Sequence, residues 1–113
     1  MKLGDKQRKF TKLIVQLLDF AHERGYETTL GDAYRDPRYH GRIGEKIAYG
    51  HRNSNHKVRL AIDLNLFKDG KYLTENKDHE PLGLYWESLD PLCAWGGRFN
   101  DGNHYSLEHN GSK

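Results

Sequence analysis

Phe10, Leu13, Ile14, Leu17, Leu18 and Ala21 recur in steps of three and four, while Lys9, Lys12, Gln16, Asp19 and Glu23 fill the other face. One apolar stripe with a 3.6-residue period predicts an amphipathic helix whose stripe is core. Gly4 or Asp5 is the expected N-cap, with Gln7 placed to reach back if Gly4 holds that position. At the other end His22 and Arg24 suit the negative pole of the helix dipole, and Gly25 supplies a left-handed stop.

After the helix the pattern changes to β-formers. Tyr26 to Tyr34 predicts a strand, closed by Arg35-Asp36-Pro37 because proline restricts Asp36 to extended or turn geometry. Residues 38–53, with Gly41, Gly44 and Gly50 among basic and aromatic residues, read as a loop holding a short helix near Glu45 to Ala48. In Leu60 to Leu66 the Leu and Ile residues alternate with Ala61, Asp63 and Asn65, the signature of a strand. Lys68-Asp69-Gly70-Lys71 is a hairpin turn, and Tyr72 begins the return strand. A second helix is expected over His79 to Leu89, with Pro81 in its first turn and Leu82, Tyr85, Trp86 and Leu89 on one face. Trp95 through Gly102 reads as a loop, and Asn103 to Glu108 alternates like a strand. The fold class predicted is α+β: a small antiparallel sheet with helices on one face.

Composition narrows the class. The 113 residues fit one compact domain spanning 1–113, and two Trp, seven Tyr and four Phe exclude a disordered chain. No apolar run approaches the roughly 20 residues of a membrane span, and the N-terminus lacks the apolar core of a cleaved signal peptide. Eighteen Lys and Arg against 16 Asp and Glu, interspersed, leave a net charge of +2, so nucleic acid is not an expected partner. The single cysteine, Cys93, forms no internal disulfide and reads as a small buried apolar residue. Any metal is therefore left to the seven histidines and the carboxylates.

Asp63 stands mid-strand between Ile62 and Leu64, where a charge is costly unless it is paired, binds a cation, or faces solvent on a half-covered sheet. Ser54-Asn55-His56 lies just upstream, and Asp101-Gly102-Asn103-His104 lies near the C-terminus. Two histidines and one carboxylate make an open tetrahedral site for catalytic zinc. His56 and Asp63 are an odd number of residues apart, so His56 belongs to the loop entering the strand, turned back over the Asp63 face. A tight turn between Asp101 and His104 would hold the Asp101 carboxylate beside the metal, as a general base for the attacking water. Of the other histidines, His22, His79 and His109 read as solvated. His40 and His51 fall in the basic loop with Arg38, Arg42, Lys46 and Arg52, with His51 a rival ligand.

Ser54-x-His56 with Asp63, followed by Asp101-x-x-His104-Tyr105, resembles the Ser-x-His-x-x-Gly-x-Ala-x-Asp and Asp/Glu-x-x-His-Phe motifs of one zinc peptidase family. That family contains the D-alanyl-D-alanine carboxypeptidases, the vancomycin-resistance dipeptidases and the L-alanyl-D-glutamate endopeptidases of phage lysins. Ala61-Ile62-Asp63-Leu64, Trp95-Gly96-Gly97-Arg98-Phe99 and Tyr34-Arg35 resemble further stretches of it in the same order. The resemblance implies a D-Ala-D-Ala-peptidase-like, hedgehog-like fold with a zinc cleft on the sheet face away from the helices. It implies that His56, Asp63 and His104 bind zinc and that Asp101 is the acid/base. Arg35 would hold a substrate carboxylate or the carbonyl oxygen, its alternative being an ion pair with Asp32 or Asp36, and Ser54 would bind substrate or support the ligands. Arg59 departs from the pattern by standing where the family has Gly; if that position needs φ > 0, Arg59 is strained.

The implied activity is hydrolysis of peptidoglycan stem peptides, most like a phage endolysin of the L-alanyl-D-glutamate type. A D-alanyl-D-alanine carboxypeptidase and a non-catalytic zinc-stabilised binding module are the alternatives. The chain is expected to be a monomer that waits in the cytoplasm before release to the wall, or that is carried in a virion.

Overall fold

In a computed structural model residues 1–31 and 58–111 are described. The expected 38–53 loop, the Tyr34-Arg35 pair, Asp32, Asp36, Ser54 and His56 lie outside them, as do His40, His51 and the basic residues of that loop.

The first helix, α1, runs Leu3–Glu23 and buries Phe10, Leu13, Ile14, Leu17 and Ala21, the predicted stripe except for Leu18, which is half-buried against the core. It starts earlier than the cap signals suggested, with Lys2 in the cap position and no side-chain cap bond. The reason lies in packing: Leu3, Phe10 and Leu17 fall seven apart, and Leu3 joins the core margin, so one more turn covers apolar surface. Gln7 is thereby freed from capping and donates from Nε2 to the Val58 carbonyl at 2.9 Å. Gly25 takes a φ of 86° just past the helix.

Among the described residues five strands form: β1 (Glu27–Leu30), β2 (Ala61–Lys68), β3 (Lys71–Leu73), β4 (Cys93–Trp95) and β5 (His104–Leu107), of which β4 was not expected from the sequence. All pairings are antiparallel, in the order β1-β2-β5-β4, with β3 also on β2. β2 is the central strand. β1 lies along one edge, opposite Leu64 to Phe67, while β5 and β3 share the other edge end to end, opposite Ala61 to Asp63 and Leu66 to Lys68. The β2–β3 turn carries Asp69 at φ 53° and Gly70 at φ 77°, the twist that a two-residue hairpin needs. Trp95 closes β4 and Gly96–Phe99 forms a 3-10 turn, where the sequence pattern suggested only loop.

The second helix, α2, runs Asn76–Leu89. It opens three residues before the expected His79, so Pro81 sits inside the helix instead of in its first turn. Asp78 Oδ2 accepts the Glu75 N–H at 3.0 Å and defines the earlier start. Both helices pack on the sheet face carrying Ile62, Leu64, Tyr105 and Leu107. Trp86 is fully buried at their junction, edge-on to Phe10 and Tyr105, and its Nε1 donates to the Ser106 carbonyl at 3.0 Å. Cys93 is buried as expected, and burial pushes its thiol up to about 12. Among the described residues no helix is long and apolar enough to cross a membrane.

Candidate metal centre

Asp63 lies in the middle of β2, His104 opens β5, and the antiparallel register sets them directly opposite. Ladder bonds from Leu64 N–H to the Asn103 carbonyl and from Leu107 N–H to the Leu60 carbonyl, both 2.9 Å, bracket the pair. The alternation of ladder bonds makes Asp63–His104 a pair without bonds of its own, where facing side chains come closest. His104 Nδ1 and Asp63 Oδ1 are 3.4 Å apart, on side chains 7% and 18% exposed. On the opposite edge of β2, Gly31 donates its N–H to the Asp63 carbonyl at 2.8 Å. A Cβ at position 31 would stand 3.2 Å from the Asp63 Cβ, so glycine keeps a neighbouring side chain off the carboxylate's flank.

These two side chains suit a zinc ion. Donors about 2.0–2.1 Å from a tetrahedral ion stand about 3.3–3.4 Å from each other, which matches the Asp63–His104 separation. A largely buried carboxylate also needs a cation or a proton donor against it. Among the described residues no group of three or more His, Cys, Asp or Glu gathers to hold a metal. The third expected donor, His56, lies outside them, and so do Arg35 and Ser54.

Asp101 is exposed, in the turn that enters β5. Its N–H donates to the Gly96 carbonyl at 2.8 Å and its carbonyl accepts the His104 N–H at 3.1 Å, which makes the tight turn expected between the two residues. Gly102 is held by both backbone groups: its N–H donates to Asn76 Oδ1 and its carbonyl accepts from Trp95 Nε1, each at 2.7 Å. Trp95 is buried in the core, and it also fixes this turn. Arg98 ties the preceding 3-10 turn to α2, with Nη2 2.7 Å from Glu87 Oε1. Phe99 stands edge-on to the His104 ring, centroids 6.0 Å apart.

A polar depression of about 220 Å³ opens where β3 ends and β5 begins along the edge of β2. Asn65, Thr74, Asn76, Asn100 and Asn103 contribute to its wall, and so does Asp101, but Asp63 and His104 do not.

His79 corrects the sequence reading. It is 3% exposed, not solvated, and its Nδ1 is 2.7 Å from the Tyr105 hydroxyl. Burial pulls its pKa down to about 4, so the ring is neutral near pH 7, and burial raises that of Tyr105. The signal was present in the chain: His79 is three residues before Leu82 and seven before Trp86, on the buried face of α2 once the helix starts at Asn76. His22 is exposed with Nε2 2.9 Å from Thr28 Oγ1, and His109 lies near Lys6, 3.2 Å from its Nζ.

Residues 48–107, just over half of the chain, match the protein family described as D-alanyl-D-alanine carboxypeptidase. The matched stretch takes in Ser54, His56, Asp63, Asp101 and His104 and leaves out Arg35. A search of curated proteins finds no match.

Proposed function

The chain belongs to the D-alanyl-D-alanine carboxypeptidase family, and from that membership we propose that it is a zinc-dependent peptidase hydrolysing the stem peptides of peptidoglycan. The observation that carries the reading is the cross-strand pair of Asp63 and His104, largely withdrawn from water at a separation that suits two donors to one tetrahedral ion.

His56, Asp63 and His104 would hold the metal. A bound zinc ion supplies Lewis acidity, polarising the scissile carbonyl and acidifying water. The chain's own residues do the rest. The Asp101 carboxylate takes the proton of the attacking water and returns it to the leaving amine. Asp101 is exposed, in a bonded turn outside the sheet, a placement that suits proton transfer better than ligation. Arg35, always charged and able to bond in two places, binds a substrate carboxylate or the developing oxyanion. Ser54 hydrogen-bonds substrate or supports the ligands.

The favoured bond is that of an endolysin-type L-alanyl-D-glutamate endopeptidase, which rests on the Trp95-Gly96-Gly97 stretch and its resemblance to phage members. Release of C-terminal D-alanine is the second reading, favoured by the description of the matched family. The protein acts as a monomer at the wall, whether released from a cytoplasm or carried in a virion.

Mass spectrometry of purified muropeptides digested with the zinc-loaded chain separates these outcomes. Cleavage between L-Ala and D-Glu supports the first and loss of terminal D-Ala the second. Intact muropeptides, with zinc bound, would leave a non-catalytic zinc module. Asp101→Ala should keep zinc and fold while hydrolysis falls by about 10²–10⁴. His56→Ala should lose metal, and undiminished zinc in that variant would remove His56 from the site.

A further inference from the structure

We infer that Asn76 is a positioning residue for Asp101: its carboxamide bridges the residues on either side of that carboxylate and sets where it points. The inference rests on the reading of Asp101 as the acid/base.

Asn76 is the first residue of α2, on an element that contributes neither Asp63 nor His104. Its Oδ1 accepts the Gly102 N–H at 2.7 Å, which leaves Nδ2 to donate to Asn100 Oδ1. One planar group thus holds positions 100 and 102, with Asp101 between them. Asn100 is left-handed at φ 65°, a conformation that Asn tolerates better than most residues, and the bond from Asn76 fixes its side chain there. The approach is close: a Cβ on Gly102 would stand 2.7 Å from both the Cα and the Oδ1 of Asn76, so only glycine lets the turn seat against the helix start.

The remaining backbone groups near Asp101 are also committed. Gly96 takes the Asp101 N–H, His104 donates to the Asp101 carbonyl, and Trp95 donates to the Gly102 carbonyl. The first two bonds lie within the loop and strand that carry Asp101. Asn76 connects that loop to the helix layer, across 26 residues of sequence. Its chemistry is specific, because the contact needs one acceptor and one donor in a plane. Aspartate would keep the acceptor, lose the donor and set a second carboxylate near Asp101; alanine would lose both bonds.

The test uses the zinc-loaded full chain and purified muropeptides. Asn76→Ala should lower kcat by roughly 10–100-fold with KM within about twofold, since displacement of a reacting group by about 1 Å has that scale of effect. Zinc content should be unchanged. In an Asp101→Ala background the same change should cost nothing further, whereas a general loss of structure would add to it. Amide exchange at Gly102, read by NMR without substrate, should quicken by about tenfold or more in Asn76→Ala. Unchanged Gly102 exchange overturns the bridge itself, and quickened exchange with full kcat overturns its positioning role. If Asp101→Ala keeps full activity, the acid/base reading fails, and the inference with it. If Asp101→Ala is inactive while Asn76→Ala is fully active, only the inference fails.

Discussion

Arg59 sits at φ 58°, in the left-handed region, two residues before β2 begins at Ala61. The resemblance to the zinc peptidases places Gly there, and the backbone explains why: a Cβ in this region costs about 1–2 kcal/mol that glycine does not incur. The chain keeps an arginine at that cost, four residues before Asp63. Comparing two variants isolates the strain from whatever the guanidinium touches. Arg59→Gly and Arg59→Ala both remove the side chain beyond Cβ, but only glycine relieves the backbone. Urea unfolding should find the glycine variant more stable than the alanine variant by about 1 kcal/mol, and equal midpoints would show the conformation to be free of strain.

Helix α2 is the element where periodicity and capping had to be weighed together. Pro81 pointed to a start near His79, but the bond from Glu75 N–H to Asp78 and the burial of His79 and Gly83 carry the helix back to Asn76. The three added residues decide two things: His79 turns into the core against Tyr105, and Asn76 reaches the Asp101 turn. The first gives a pH dependence. His79 has its pKa lowered from 6.5 to about 4 by burial, so as pH falls through 6.5 the unfolded chain binds a proton that the folded chain refuses until about pH 4. The stability it supports is complete above 6.5 and is lost between 6.5 and 4, by on the order of 3 kcal/mol. His79→Gln, which cannot titrate, should lose less over that range. Unfolding free energies of the two proteins at about pH 7 and about pH 4.5 should therefore converge as the solution is acidified, and a constant gap would show that His79 charges without resistance in the fold.

Across the whole molecule, β2 joins the two functions of the sheet. Ile62, Leu64 and Leu66 are buried in the core with α1 and α2, while Asp63 faces away beside His104. A metal held there would bridge β2 and β5, strands nearly forty residues apart in the chain, and would bind the folded state in preference to the unfolded one. Zinc at about a hundred times its dissociation constant should then add about 2.7 kcal/mol to the free energy of unfolding. Thermal unfolding with zinc and with a chelator measures the difference. Asp63→Asn should abolish it, and an unshifted midpoint on chelation of the wild type would mean that the fold holds no zinc.

The sequence by itself determined the helix stripe from Phe10 to Ala21, the alternation of β2 and the Asp69-Gly70 hairpin, because each depends on side-chain spacing or turn chemistry within a few residues. It also carried the ordered Asp63 and Asp101-x-x-His104 pattern, and Arg59 as the position where glycine was to be expected. Only the tertiary structure decided that Asp63 and His104 share a register, that α2 begins at Asn76, and that His79 is buried. It also decided that Asn76 and Trp95 hold Gly102. Each of these depends on contacts between segments tens of residues apart, and packing across that distance overrides caps and propensities worth about 1 kcal/mol.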